Sequence, residues 1–238
     1  MDKKEILKSH GGKDKYNWVS DFVYGGIDGA VTTFAVVAGV EGASLSTGII
    51  LILGFANLFA DGFSMAVGKY SSDKAEIEEY EKIKKLEYRH LKEKPEHERE
   101  EIREIMEGYG FKGKDLKRAV EVITSDEDAW VDLMMRNEFN MTLENINPFL
   151  GGLATFVSFI LIGFIPLMSY VFKDFIGFGD AFLLTCVLTS LALFTVGAVK
   201  SRFTVRNWIL CGLETALIGG FAAFIAYFIG VMLQGLVA

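Results

Sequence analysis

Three polar side chains interrupt segments that are otherwise apolar enough to cross a lipid bilayer: Asp28 in the first, and Asn57 and Asp61 in the second. A carboxylate at bilayer depth costs about 3 kcal/mol on the lowest scales, so it persists mainly where it lines a polar path. Asn57, Asp61 and Met65 are each four residues apart, which places them on one stripe of a helix. Carboxylates and a thioether on such a stripe suit the partial dehydration and passage of a divalent cation. The plainer alternatives are that Asn57 and Asp61 satisfy each other or bond across helices, and that Met65 fills a gap in a core. Glu214, toward one end of the last apolar segment, fits a path or buried structural polarity equally well.

A second constellation lies in the acidic stretch from Asp73 to Glu144. Glu87-x-x-His90 puts a carboxylate and an imidazole on one helix face, since residues three apart are neighbours there. Glu98-x-x-Glu101 repeats the arrangement after Pro95, Glu104 extends that face, and Met134 and Glu138 share another at a spacing of four. Carboxylate and imidazole suit Fe²⁺, Mn²⁺ and Zn²⁺, and the imidazole adds preference for Co²⁺ and Ni²⁺. An imidazole must be neutral to bind metal, so such a site is sensitive to pH. Taken one at a time, each pair also fits a solvated helix face. Their repetition on either side of a chain-reversing proline is what points to a metal site.

The elements that must hold these residues follow from composition. Of the 238 residues 51% are hydrophobic and 23% charged, so the two classes must be segregated. Between Lys69 and Asn147 there are 21 acids and 15 bases, so most of the formal charge of −7 belongs to this one insert. An acidic insert implies cationic partners and, lacking a basic patch, argues against nucleic acid. Five apolar stretches have the length of a spanning helix, about 20 residues: Phe22–Val40, Thr47–Val67, Phe149–Phe172, Ala181–Val199 and Trp208–Val237. Pro166 is expected to kink the third. Glycines 25, 26, 29 and 39 in the first favour close helix contact in lipid. Cys186 and Cys211 read as small buried hydrophobes.

Positive charge in short loops sets topology. Lys3, Lys4, Lys8, Lys13 and Lys15 precede the first span, and Lys200, Arg202 and Arg206 lie between the fourth and fifth. The loop between spans one and two has no Lys or Arg, and that between three and four has only Lys173. These charges place the N-terminus, the insert and the last loop in the cytoplasm. No cleavable targeting segment is expected at the charged N-terminus. Within the insert, Ile77, Tyr80, Ile83 and Leu86 recur at helical spacing, and Ile102, Ile105 and Met106 resume it after Pro95. A third helix is expected from near Asp115, and a fourth, capped by Ser125 or Asp126, carries Trp130, Leu133, Met134 and Phe139.

The chain resembles the vacuolar iron transporter family over nearly its whole length. The resemblance rests on Tyr-Gly-Gly-Ile-Asp-Gly-Ala-Val-Thr-Thr (24–33), Ser-Met-Ala-Val-Gly-Lys-Tyr (64–70), Trp-Val-Asp-Leu-Met-Met-Arg-Asn-Glu (130–138) and Phe-Ile-Pro-Leu-Met (164–168). It implies a homodimer that exports Fe²⁺ from the cytosol in exchange for protons, with a path between the first two spans of both subunits. It also implies that Asp28 and Met65 line that path, and that Glu87, His90, Glu98, Glu101, Met134 and Glu138 bind metal in the insert. The chain departs from the family pattern in three places. His90 stands where a Glu is expected. Asn57 replaces a glutamate, with Asp61 one turn away. Lys69 replaces a glutamate in the Gly-Glu-Tyr/Phe pattern that follows span two.

The expected architecture is therefore an all-α membrane protein: a short N-terminal segment (1–20), spans one and two (21–70), a cytoplasmic helical metal-binding insert (71–147) and spans three to five (148–238). The expected function is divalent-metal transport, Fe²⁺ first and Mn²⁺ second, with Zn²⁺ and Co²⁺ as further candidates and no cofactor beyond the transported ions. The partners are lipid, metal ions, protons and a second copy of the chain. The membrane would be the plasma membrane of a prokaryote or the vacuolar membrane of a plant or fungus. Two rivals compete: a membrane-tethered di-iron carboxylate ferroxidase, and a metal-sensing scaffold. The first wants two Glu-x-x-His motifs, whereas His97 and His10 lack that spacing. The second has no use for Asp28.

Overall fold

The computed structural model describes residues 16–143, 146–176 and 179–237, and among these every regular element is helical. The lysines and His10 of the N-terminal segment, and Glu144, lie outside the described residues. The chain divides into two compact units, one containing Ser72–Ile146, the other made of Tyr16–Ser71 and Asn147–Ala238.

In the apolar unit, α1 runs Trp18–Gly42, capped by the Asn17 side chain, which accepts from the Val19 amide at 3.3 Å. It begins four residues before the expected span, inside the segment expected to precede the membrane. A tight turn with Ser44 at φ 56° leads to α2, Thr47–Glu93, a single helix of 47 residues. The expected span ended at Val67, but no proline lies between Val67 and Ile77, and nothing there breaks the helix. α3, Pro95–Gly108, α4, Gly113–Ile123, and α5, Glu127–Asn137, belong to the acidic unit. The apolar unit resumes with α6, Pro148–Gly163, and α7, Ile165–Val171, which together bend by 40°. Pro166 lies in the first turn of α7 and cannot donate to the preceding turn, so the bend falls where the sequence puts it. After the short α8, Lys173–Ile176, come α9, Ala181–Lys200, and α10, Trp208–Val237. Among the described residues four helices are long and apolar enough to cross a membrane, and there are five spans if the bent pair α6–α7 is one.

α1 packs against α6, α9 and α10. Its contacts are made at glycines, where backbones approach closely. A Cβ built on Gly29 would lie 2.5 Å from the Phe159 carbonyl oxygen, and one on Gly42 would lie 2.2 Å from that of Tyr227. Lipid gives helices no hydrophobic drive to associate, so such contacts carry much of the packing. Gly29→Ala should therefore destabilise the protein by about 1–3 kcal/mol, the usual cost of overpacking. Heating the detergent-solubilised protein and following the folded peak by size exclusion checks this. A wild-type melting curve would mean that the α1–α6 contact is looser than described.

The acidic unit closes around Leu91, Ile102, Met106, Leu116, Val120, Trp130, Val131, Met134 and Met135. α4 starts two residues before the expected Asp115, at Gly113, whose φ is 56°, after Gly110 takes φ of 94°. The Asp126 carboxylate caps α5, accepting from the amides of Asp128 and Ala129 at 3.0 and 3.3 Å. α5 ends at Asn137, so Phe139, expected on this helix, lies beyond it and packs against the core from outside.

Candidate metal site and acid seam

In the acidic unit, α2 ends at Glu93 and α3 begins at Pro95, so the chain reverses within one residue. The reversal brings the last turns of α2 against the first turn of α3. His90 Nδ1 lies 3.4 Å from Glu87 Oε1 and 3.7 Å from Glu98 Oε1. One ligand atom from each of Glu87, His90 and Glu98 falls within 4.8 Å of the others. Both carboxylates are buried, Glu87 at 1% and Glu98 at 3% exposure, and the Oε2 atom of each is buried with no hydrogen-bond partner. A buried, unsatisfied carboxylate oxygen is costly, and a cation is the natural way to satisfy two of them at once.

Glu101 joins this group through hydrogen bonding and charge on Glu98. Glu138, just past the end of α5, interacts electrostatically with Glu101, Glu87 and His90. Met134 is fully buried among apolar side chains of the core. Glu104 is exposed, and no contact among the described residues ties it to the cluster. His97, set aside in the sequence for its spacing, places Nε2 3.6 Å from Glu101 Oε1. Its position four residues before Glu101 is the signal that could have found it.

The electrostatics match. Burial, then the charge and hydrogen bond of Glu101, then Glu87 and Glu138, push the Glu98 carboxyl up to about 7. Burial first, with Glu101 next among the raising charges, also raises Glu87 and Glu138. The folded state thus keeps a proton on Glu98 that the unfolded chain releases near its ordinary 4.5. Between those two values the metal-free protein should lose stability as pH rises. A divalent ion would bind the cluster in its deprotonated form, so added metal should reverse the trend. Thermal melting at about pH 5 and pH 7.5, with and without Mn²⁺, tests the linkage. Glu98→Gln should flatten both slopes, and slopes equal to wild type would remove Glu98 from the cluster's proton chemistry.

In the apolar unit the candidates lie between α1 and α2, antiparallel across their tight turn. Asp28 and Asp61, both half-buried, interact electrostatically. The Asn57 amide nitrogen is buried without a hydrogen-bond partner. Met65 packs against the apolar cluster around Phe159 and Leu167. Sequence reasoning missed two polar pairs. Lys69 Nζ lies 3.3 Å from Asp21, which also accepts from the Tyr16 hydroxyl. At the other end of α1, Glu41 accepts from the buried Tyr170 hydroxyl at 3.1 Å. Glu214, left open by the sequence, pairs with Arg206 at 3.1 Å on an exposed surface.

The sequence profile of the VIT family matches residues 19–231. The chain belongs to the VIT family. It is similar to a protein of Toxoplasma gondii named "Vacuolar iron transporter", 35% identical over 226 residues that cover 92% of this chain and 75% of the relative. A Plasmodium falciparum protein of the same name is 33% identical, over 93% of this chain and 84% of the relative. "Vacuolar iron transporter 1" of Arabidopsis thaliana is 33% identical, over 91% and 86%. These are the names of transporters, not enzymes. The VIT match runs through both units, so the acid seam and the buried carboxylate cluster both fall within it.

Proposed function

We propose that the protein transports divalent metal, Fe²⁺ first and Mn²⁺ second, out of the cytosol in exchange for protons, through a pore shared by two copies of the chain. One observation carries the reading: Asp28 and Asp61 are held in mutual electrostatic reach on helices apolar enough to cross a membrane. Two carboxylates so placed repel one another unless a cation or a proton lies with them. The names of the relatives point to iron as the cation.

The division of labour follows from the ligand types. Glu87, His90, Glu98, Glu101 and Glu138 capture the ion on the cytoplasmic side, with Met134 beneath them. Asp28, Asp61 and Met65 then replace part of its water, and the Asn57 amide adds a neutral contact. One copy offers few intramembrane ligands for an ion that prefers six, and a two-fold axis doubles each of them. Carboxylates that lose protons to metal and regain them from the far side produce antiport. The loop charges put the N-terminus and the acidic unit in the cytoplasm, of a plasma membrane in a prokaryote or a vacuolar membrane in a plant or fungus.

The test is flux. Purified protein in sealed liposomes should accumulate Fe²⁺ and, more slowly, Mn²⁺, with protons moving the opposite way. Liposomes that bind metal without moving it would favour the sensing scaffold. Oxidation of Fe²⁺ by the protein in detergent would favour the ferroxidase, which the cluster's single Glu-x-x-His disfavours.

A further inference from the structure

We propose that Lys69 is a tethered cation that occupies one end of the acid seam and reserves it for divalent ions over monovalent ones. This rests on the transport reading above. The stripe formed by Asn57, Asp61 and Met65 continues, four residues on, to Lys69. On α1, Asp21 precedes Asp28 by seven residues, two turns along the same face. Antiparallel helices match these steps. Asp61 interacts with Asp28, and Lys69 contacts Asp21 at 3.3 Å. Eight residues along α2 and seven along α1 span about 12 and 10 Å. The ion pair therefore lies in the same seam as the two acids, displaced toward the start of α1.

The pair is sheltered, with side-chain exposures of 28% for Lys69 and 13% for Asp21. The Tyr16 hydroxyl also donates to Asp21, which fixes the orientation of the carboxylate. A monovalent ion arriving from solution offers Asp21 the same single charge that the ammonium already supplies. The ammonium is covalently attached, brings three hydrogen-bond donors and loses no translational freedom on binding. Monovalent ions therefore gain nothing by displacing it. A divalent ion brings twice the charge, and it displaces the ammonium onto its flexible stem. Lys69 is thus a specificity-determining residue that sets apparent affinity, not turnover, because it does not touch an ion held between Asp28 and Asp61. The resemblance to vacuolar iron transporters leads one to expect an acid at this position. An acid there would attract cations of either charge, so the lysine changes what that end of the seam selects.

Proteoliposomes of the full chain test this. Initial Mn²⁺ uptake is measured in K⁺ and in N-methylglucamine, a bulky organic cation, at equal ionic strength. Wild-type KM should be the same in both. Lys69→Gln should lower KM about fivefold in N-methylglucamine, the effect of removing a sheltered ion-pair competitor, with kcat unchanged. K⁺ should then restore much of the wild-type KM, and Lys69→Arg should behave as wild type. Asp21→Asn provides an independent variant, since it removes the carboxylate charge 3.3 Å from the ammonium and should raise KM with kcat unchanged. A Lys69→Gln protein with wild-type KM and no sensitivity to K⁺, or an Asp21→Asn protein that loses kcat and keeps its KM, overturns the proposal while leaving metal transport intact. A wild-type protein that moves no ion overturns the transport reading and this proposal together.

Discussion

Asp28→Asn should stop metal flux into proteoliposomes, cutting the initial rate by about 100-fold or more, the equivalent of roughly 3 kcal/mol of lost ion stabilisation. The protein itself should elute and melt like the wild type. The two expectations have one cause. Asn keeps the volume and a hydrogen-bonding oxygen but removes a charge that the fold does not need. Asp28 is half-buried and interacts with Asp61, another acid, so its removal relieves a repulsion. An ion between α1 and α2 would lose half of its charge compensation where the dielectric is low and each charge counts most. Flux at the wild-type rate would make Asp28 a structural polar group and take away the observation on which the transport reading rests.

Replacing Glu87 and Glu98 together by Gln should have opposite effects on stability and binding. The metal-free protein should become more stable above neutral pH, because two buried carboxylates with raised pKa values no longer have to ionise. The gain is on the order of a few kcal/mol. Binding of Fe²⁺ or Mn²⁺ to the acidic unit should weaken by about 100-fold or more, since a carboxamide offers a divalent ion a neutral oxygen in place of a charged one. Melting at about pH 8, together with metal titration of the full chain, reads both. A double variant that loses stability and keeps its affinity would show that these acids serve packing and not metal. Stability given up at a binding site is a common trade in proteins.

The long apolar helices were legible because apolar length is a one-dimensional property, and so was the bend in the third stretch, because a proline acts on its own helix. The cap at Asp126 was legible for the same reason: its partners are two and three residues away. Glu87 and His90 could be paired from spacing alone. Placing Glu98 against them depended on the reversal at Pro95, which the sequence also marks. The sequence was less informative where the answer depends on which way neighbouring helices turn. Glu104 follows Glu101 by three residues yet lies exposed, because its face of α3 turns away from α2. Met134 lies one turn before Glu138 but is buried in the core. The Lys69–Asp21 and Glu41–Tyr170 pairs join residues 48 and 129 positions apart, and no local pattern announces them. The continuity of α2 past Val67 was missed for a simpler reason. A change from apolar to charged composition marks a change of solvent, not the end of a helix.

The glycine contacts also bear on how the seam can open. α1 rests backbone to backbone on α6 at Gly29 and on α10 at Gly42, and Gly230 of α10 approaches α1 so closely that a Cβ there would lie 2.1 Å from the Gly39 carbonyl oxygen. Backbones at that distance have no side-chain rotamers to exchange and no slack to give. The wall that carries Asp28 is therefore stationary. α2 is held differently. Along its first half it bears on the ends of the Leu167 and Phe159 side chains, at Gly54 and Gly62, and it meets α6 backbone where a Cβ on Gly152 would be 2.8 Å from the Ala66 carbonyl oxygen. Side-chain ends can repack, whereas a close backbone contact such as Gly152 on Ala66 can serve as a fulcrum. Asn57 and Asp61 sit on the arm beyond it, and Met65 sits next to the pivot itself. A cycle that exposes the ion first to one side and then to the other would swing this arm against a fixed jaw. The amide of Asn57 would travel farthest, the carboxylate of Asp61 about half as far, and the sulfur of Met65 hardly at all.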